Sequence, residues 1–268
     1  MKIVDYSFEL LESDADTFLL YYDKYSCMND RLLSISELDA AIKNVKRVNK
    51  KCLLVVNRFL FEDEIDECLL FLNNYADKVD GYYIFDFGIL KSLRDNNNQL
   101  LIIINTNTTM TNHADIQILL DYGADYVVLA RELTLDELLI IGKKLVNKVV
   151  VPIFGHQIIS SSRRLLLDSY CQELNLNLES YKVYSMVEES RKDPFLLFQD
   201  QYSTNVFDGR VLNGLNKISL FEKNGICHFL YDGFNLSDDI LIKALNNEEI
   251  NDIDTTSSLW FIKTSERK

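Results

Sequence analysis

The chain has 268 residues, of which 47% are apolar and 26% are charged, and its formal net charge is −13. This composition predicts a folded protein with a large core. The negative charge argues against tight unaided binding of nucleic acid, because that binding depends on lysine and arginine at the phosphates. No uncharged apolar run reaches the roughly 18 residues of a membrane-spanning helix, and the acidic N-terminal sequence is unlike a signal peptide. We therefore expect a cytoplasmic protein.

Short apolar runs recur along the chain and indicate buried strands. They occupy residues 2–6, 17–22, 52–57, 81–86, 100–105, 125–130, 149–154 and 226–232. Most are continuously apolar, which is typical of parallel strands covered on both faces. Eight such strands separated by helices predict an α/β protein with a TIM-like (β/α)8 barrel. The alternative is a doubly wound open sheet, but no glycine-rich GxGxxG turn follows any run.

Segments with apolar residues at three-and-four spacing separate these runs and indicate helices. They occupy residues 34–49, 62–79, 88–98, 112–124 and 134–148. Several begin with residues that cap helices, namely Ser34 or Ser36, Asn112, and Thr134 with Glu137 three residues on. Gly123 stands where a helix C-cap belongs.

One interval, between the seventh and eighth strands, is too long for a single helix. It contains a helical pattern at residues 163–174 and alternating segments at 179–188 and 194–200. We therefore expect a small β-containing insertion between strands 7 and 8. The predicted division is a single barrel domain at residues 1–250, with the insertion at 157–225, and a C-terminal tail at 251–268.

Most predicted strands end in polar residues. In barrels of this class, active sites lie at the C-terminal ends of the strands. We therefore expect one polar pocket there, although strand ends can also be polar simply because they meet water. The pocket prediction comprises Asn57, Asp86, Asn107, Arg131, Glu132, His156 and Arg164. Asp86 and Glu132 would be close enough to share a proton, and an ion pair between Arg131 and Glu132 is the structural alternative.

The stretch at residues 154–170, FGHQIISSSRRLLLDSY, includes the end of the seventh strand and the residues after it. It contains one histidine, four serines and two adjacent arginines. Arg163 and Arg164 are suited to hold a phosphate or a carboxylate, although a surface or helix-start role is equally consistent for Arg163. Ser162 and His156 lie six residues apart in what we expect to be one loop. They would be the nucleophile and base of a protease, but no GxSxG motif is present.

Several segments resemble, in the same order, the U32 peptidase family, whose members are also called collagenase-like proteases. The most specific is the "LAREL" block, VVLARELTLDELLIIGKKL. The similar segments are residues 51–57, 84–90, 105–133, 127–145, 199–209 and 221–233. Together they extend over roughly residues 17–240, and the resemblance implies a TIM-like barrel.

Better-understood relatives are linked to hydroxylation of tRNA, ribosomal RNA or ubiquinone precursors, and they hold a [4Fe–4S] cluster on four cysteines. In the motif that residues 154–170 resemble, Ile158 and Leu165 stand at two of the cysteine positions. The second cysteine pair has no counterpart, and Cys171 alone cannot hold a cluster. The resemblance therefore implies that the family's cluster is absent, and we expect no cofactor and no metal. The positions that keep the motif are Gly155, Ser162 and Arg164.

The chain resembles the small, cysteine-poor subgroup of the family, which accompanies a cluster-bearing paralogue in many Gram-positive bacteria. That pair is associated with 5-hydroxylation of the wobble uridine of tRNA. The resemblance implies an accessory subunit whose cluster-bearing U32 partner contacts the tRNA, in a homo- or hetero-oligomer. If the isolated chain binds tRNA, a basic patch of Arg163, Arg164, Arg191 and Lys192 would be responsible.

Two other functions stay open from the sequence, a peptidase and a cluster-free enzyme that binds a small carboxylate. The candidate catalytic residues are Asp86, Arg131, Glu132 and His156. The candidate substrate-binding residues are Asn57, Asn107, Ser162, Arg164 and Asp232.

Overall fold

Eight parallel strands close into a barrel in the computed structural model, which describes residues 1–96, 99–107, 109–177, 179, 181–187, 189, 193–251 and 253–256. With all strands numbered in chain order, the barrel strands are β1 (Lys2–Asp5), β2 (Thr17–Tyr22), β4 (Lys51–Val56), β5 (Gly81–Ile84), β6 (Leu101–Ile104), β7 (Tyr126–Val128), β8 (Val149–Ser162) and β12 (His228–Tyr231). Strand β12 pairs in parallel with both β1 and β8, which closes the ring. The predicted TIM-like (β/α)8 barrel is confirmed.

Helices follow most of the barrel strands, as the periodicity predicts. They are α1 (Ile35–Arg47), α2 (Ile65–Tyr75), α3 (Phe87–Asp95), α4 (His113–Asp121), α5 (Leu135–Lys144), α6 (Leu166–Leu174), α7 (Ile218–Lys223) and α8 (Asp238–Leu245). Between β1 and β2 the chain makes only a 3₁₀ turn at Glu9–Glu12.

The predicted helix caps are confirmed. Ser34 and Thr134 each form a capping box with the glutamate three residues on. The side chain of Asn112 accepts from two backbone amides at the start of α4. Gly123 follows the end of α4 with φ +106°, a conformation that glycine adopts without strain.

The segment after Phe154, expected to be a loop, is instead a continuation of β8 to Ser162. It pairs antiparallel with β11 (Thr204–Asn213), and the pairing is interrupted by register shifts. The antiparallel sheet continues through β10 (Phe195–Gln199) to β9 (Val183–Met186). Two further short strands lie within the described residues, namely β3 (Leu32–Leu33) and β13 (Thr255–Thr256).

The division of the chain at residue 250 stays a prediction. Strand β13, within the predicted tail, pairs in parallel with β11. Residues 252 and 257–268 of that tail lie outside the described residues, as do Arg191 and Lys192 of the predicted basic patch.

The barrel interior is apolar through most of its height. Its packed side chains include Ile3, Leu19, Leu53, Ile103, Val150 and Leu230, all with 6% exposure or less. A second buried cluster lies over the C-terminal ends of the strands and joins the barrel to the antiparallel sheet. It consists of Cys27, Met28, Phe198, Phe207 and Phe234. The rings of Phe207 and Phe234 stack there with centroids 3.9 Å apart.

Among the described helices, none combines the length and the apolar character that a bilayer crossing requires.

Candidate functional site

A buried polar cluster lies inside the C-terminal end of the barrel, centred on Asp5 at the end of β1. Its carboxyl group accepts hydrogen bonds from the Tyr21 hydroxyl at 2.8 Å and the Asn29 amide at 2.9 Å. It also accepts from the backbone N–H of Gly233 at 2.7 Å. These three donors come from β2, from the segment after β2 and from the segment after β12. Asp5 therefore connects β1 to β2 and to the segment after β12, at the place where the barrel closes.

Asp232, which the sequence predicts as a substrate-binding residue, lies directly after β12 beside this cluster. Burial, and then the nearby charge of Asp5, raise the pKa of Asp232 well above its ordinary value. Its side chain accepts from the backbone N–H of Phe234 at 3.0 Å. Burial also raises the pKa of Asp5, although its hydrogen bonds oppose the shift. Because both pKa values are raised, these two carboxyl groups bind a proton more readily than an exposed aspartate does.

Tyr83 and Asn105 complete the polar layer. The Asn105 side-chain amide donates to the Tyr83 hydroxyl at 2.6 Å. Burial raises the pKa of Tyr83, with smaller contributions from Asp232 and Asp5. Sequence reasoning missed Asp5, Tyr21 and Tyr83 as members of one site.

A separate cavity of about 270 Å³ opens at the ends of strands β4 to β7, against the extended part of β8. It is lined by Phe59, Phe85, Thr106, Asn107, Arg131, Ile158, Ile159, Ser160 and Ser161. The rings of Phe59 and Phe85 meet edge to face at 5.1 Å. The lining therefore combines an aromatic pair with residues that carry amide, hydroxyl and guanidinium groups.

Arg131 is the cationic group of this cavity. Its Nη2 donates to the carbonyl oxygen of Ile159, whereas its Nη1 is buried and has no hydrogen-bond partner among the described residues. Burial lowers the pKa of Arg131, and the charge of Glu132 opposes that shift. A buried N–H group without a partner is unfavourable. The part of the Arg131 side chain that lines the cavity gives it a positive charge, which suits an anionic or carbonyl oxygen.

Asn107 also lines the cavity, in a left-handed backbone conformation with φ +61°. Its backbone N–H donates to the Asn105 side chain at 2.9 Å, which holds the turn. Of the predicted pocket residues, the cavity lining brings together Asn107 and Arg131.

Two other predicted pocket residues make local structural contacts. The Asn57 side chain accepts from the N–H of Cys27 and donates to its carbonyl oxygen, both at 2.9 Å. Asp86 is the N-cap of α3 and accepts from the N–H of Ile89 at 3.0 Å. The side chain of Glu132 is exposed.

His156 and Ser162 do not form a catalytic pair. Both lie on β8, and six residues of extended strand span roughly 20 Å. The His156 ring is buried, with Nδ1 2.9 Å from the carbonyl oxygen of Asp208, so that nitrogen carries the proton. Burial lowers the pKa of His156. The Ser162 hydroxyl accepts from the N–H of Arg164 at 3.1 Å, and the Arg164 side chain is exposed.

The residues at the family's cluster positions do not fit an iron–sulfur cluster. Ile158 packs against the apolar cluster over the barrel, and Leu165 precedes α6, so neither position offers a thiolate. Within the described residues, no group of three or more histidine, cysteine or acidic side chains is arranged to hold a metal ion. The absence of iron from the protein stays a prediction.

Comparison with known proteins identifies what the chain is similar to. The model of peptidase family U32 matches residues 6–245. The "tRNA hydroxylation protein P2" of Bacillus subtilis (strain 168) is 23% identical over 230 residues, which cover 84% of this chain and 74% of that protein.

Two solved structures share the fold. The U32 peptidase Mk0906 superposes with a TM-score of 0.56 at 11% identity, covering 86% of this chain and 91% of the other. The spore cortex-lytic enzyme SleL of Bacillus cereus gives a TM-score of 0.51 at 10% identity, with coverages of 93% and 74%. At these identities the likeness concerns the fold alone.

Proposed function

Since the chain belongs to peptidase family U32, we propose that it acts in tRNA hydroxylation as an accessory subunit without an iron–sulfur cluster. The observation that carries the proposal is the likeness to the tRNA hydroxylation protein P2, which extends over 84% of this chain. The reaction proposed is 5-hydroxylation of the wobble uridine, in the cytoplasm.

The partner we propose is a cluster-bearing U32 paralogue. Ile158 and Leu165 leave this chain without thiolates at the cluster positions, so the redox chemistry must come from another subunit. A net charge of −13 also gives little attraction for tRNA phosphates, so the same partner would supply most of the contact with RNA. This chain would position the substrate.

Deletion of the gene tests the proposal. We expect the 5-hydroxyuridine derivatives of bulk tRNA, measured by nucleoside mass spectrometry, to fall in the deletion strain and to recover when the chain is supplied on a plasmid. Unchanged levels, in a strain with no paralogue able to substitute, would contradict a role in tRNA hydroxylation. Affinity purification of the tagged protein from its host should recover the cluster-bearing paralogue.

The iron content tests the assignment of the redox step to a partner subunit. Because no thiolate stands at the cluster positions, we expect the chain purified anaerobically to be colourless and free of iron. Stoichiometric iron and sulfide would contradict the assignment of the redox step to a partner.

The second candidate function is binding of a small carboxylate, and the presence of Arg131 in the cavity lining favours it. In a thermal unfolding assay, a dicarboxylate such as malonate should raise the Tm of the wild type in a saturable way. The R131M variant should not respond, whereas R47A, which removes an exposed arginine from α1, should respond like the wild type. Equal responses of all three proteins would show a general salt effect.

A peptidase is the least supported function, because the geometry separates its candidate nucleophile and base. The S162A and H156A variants should therefore leave any peptide cleavage by a preparation unchanged.

A further inference from the structure

Two exposed flat side chains meet beside the Arg131 cavity. The guanidinium carbon of Arg163 lies 3.6 Å from the centroid of the Phe61 ring, which is 55% exposed. Each residue lies two positions beyond one that lines the cavity, since Phe61 follows Phe59 and Arg163 follows Ser161. We call Phe61 and Arg163 the stacking pair.

Hydrogen bonds fix the backbone of the loop that carries Phe61. The Glu64 carboxylate accepts from the backbone N–H of Phe61 at 2.7 Å and from the Arg58 guanidinium at 2.6 Å. Arg58 is buried, and its guanidinium carbon lies 3.9 Å from the centroid of the Tyr202 ring. A large exposed ring on a braced loop is therefore preorganised, so ordering it on binding would cost little entropy.

The charge around the pair contrasts with that of the whole chain. Arg163 and Arg164 are adjacent and exposed in a protein of net charge −13. Single-stranded RNA is recognised by stacking of its bases on aromatic rings or on arginine guanidinium planes, with cations placed for the phosphates. The stacking pair offers both kinds of flat surface, and Arg164 offers the neighbouring charge.

The cavity beside the pair suits the edge of a base. Asn107, Arg131 and Ser160 present amide, guanidinium and hydroxyl groups there, and Phe59 and Phe85 form an aromatic wall. An unstacked base can be hydrogen-bonded along its edge while its face lies on an aromatic or apolar surface.

We propose that the stacking pair and the adjoining cavity bind an unstacked nucleobase of single-stranded RNA, with the base lying on Phe61 or Arg163. The proposal rests on the proposed function and names the surface through which this chain would contact its RNA. A single stacked base gives modest affinity, which agrees with the expectation that a partner supplies most of the binding energy.

Fluorescence anisotropy at low ionic strength tests the proposal with the full chain and a short, labelled oligouridylate. We expect measurable binding of the single strand and weaker binding once it is annealed to its complement. The F61A variant should bind about tenfold more weakly, which is within the range for loss of one stacked base. F61W should bind like the wild type, because it keeps an aromatic face.

Matched variants separate stacking from charge and from folding. R163K keeps the charge but loses the planar group, so it should also weaken binding. Y122A removes an exposed ring at the opposite end of the barrel, and R47A removes a cation there; both should bind normally. Wild-type affinity in F61A, equal losses in R163K and R47A, or no binding by the wild type would each overturn the proposal. Thermal melting checks that the variants fold.

The two experiments together distinguish failure of the stacking site from failure of the proposed function. If F61A binds oligouridylate normally and restores hydroxylation in the deletion strain, the stacking site is wrong while the function stands. If deletion leaves hydroxylation unchanged but F61A still loses RNA binding, the function is wrong while the stacking site stands.

Discussion

Two polar regions lie at the same end of the barrel, and they differ in how their polar atoms are satisfied. Asp5 is buried and accepts three hydrogen bonds. Arg131 lines an open cavity, and its buried Nη1 has no partner among the described residues. Satisfied polar clusters fix a structure, whereas a charged side chain that lines an open cavity is available to a ligand. The first region should therefore matter for stability and the second for binding.

The largest effect is expected when the satisfied region is broken. Asp5→Ala leaves three donors without their acceptor, and each buried unsatisfied group costs about 1–3 kcal/mol. We expect D5A to lower the free energy of unfolding by about 3 kcal/mol or more, measured by chemical denaturation. D5N keeps one acceptor oxygen and should lose less. A D5A protein as stable as the wild type would show that the cluster does not stabilise the closure of the barrel.

The pH dependence of stability probes the same region through Asp232. Its pKa is raised in the folded protein, so the folded state binds more protons than the unfolded chain between the two pKa values. Stability therefore falls as the pH rises from about 4, the ordinary pKa of aspartate, through the folded-state pKa. Asp232→Asn removes the charge and keeps the acceptor for Phe234. We expect D232N to melt a few degrees above the wild type at neutral pH, as about 1 kcal/mol would produce in a chain of this size.

The advantage of D232N should disappear in acid, where Asp232 is protonated in both folded and unfolded wild-type chains. Parallel stability curves for the two proteins across the pH range would mean that Asp232 is not desolvated in solution.

The sequence predicts the barrel well because the signals for it are local. Continuous apolar runs mark strands covered on both faces, and caps such as Thr134 depend on residues three positions away. The extension of β8 to Ser162 was missed because its polar sequence becomes a strand only through pairing with β11, some forty residues later in the chain.

The candidate site was predicted only in part, for a related reason. Asp5 has partners at Tyr21, Asn29 and Gly233, and no spacing in the sequence connects these four positions. In the continuous run 17–22, polarity does not distinguish the face that points into the barrel, so Tyr21 carried no signal. Polar strand ends were a useful guide to the cavity, since they include Asn107 and Arg131.

A smaller effect is expected at Asp86. A structural role as a helix cap and a role in binding substrate predict different results for its variants. As the N-cap of α3, it should contribute about 1 kcal/mol to stability, so D86A should be destabilised by that amount. D86N and D86S can still cap and should be nearly as stable as the wild type. If D86N instead abolished complementation of the deletion strain at full stability, Asp86 would act on the substrate and not on the helix.

The smallest effect on stability is expected at Arg131, although it is the cationic residue of the cavity lining. Arg131→Met loses the hydrogen bond to the Ile159 carbonyl, but it also removes a buried N–H group that has no described partner. These contributions oppose each other, so we expect the free energy of unfolding to change by no more than about 0.5 kcal/mol. The same variant should fail to restore hydroxylation in the deletion strain. A loss of stability as large as that of D5A would mean that Arg131 is a structural group, and it would remove the distinction between the two polar regions.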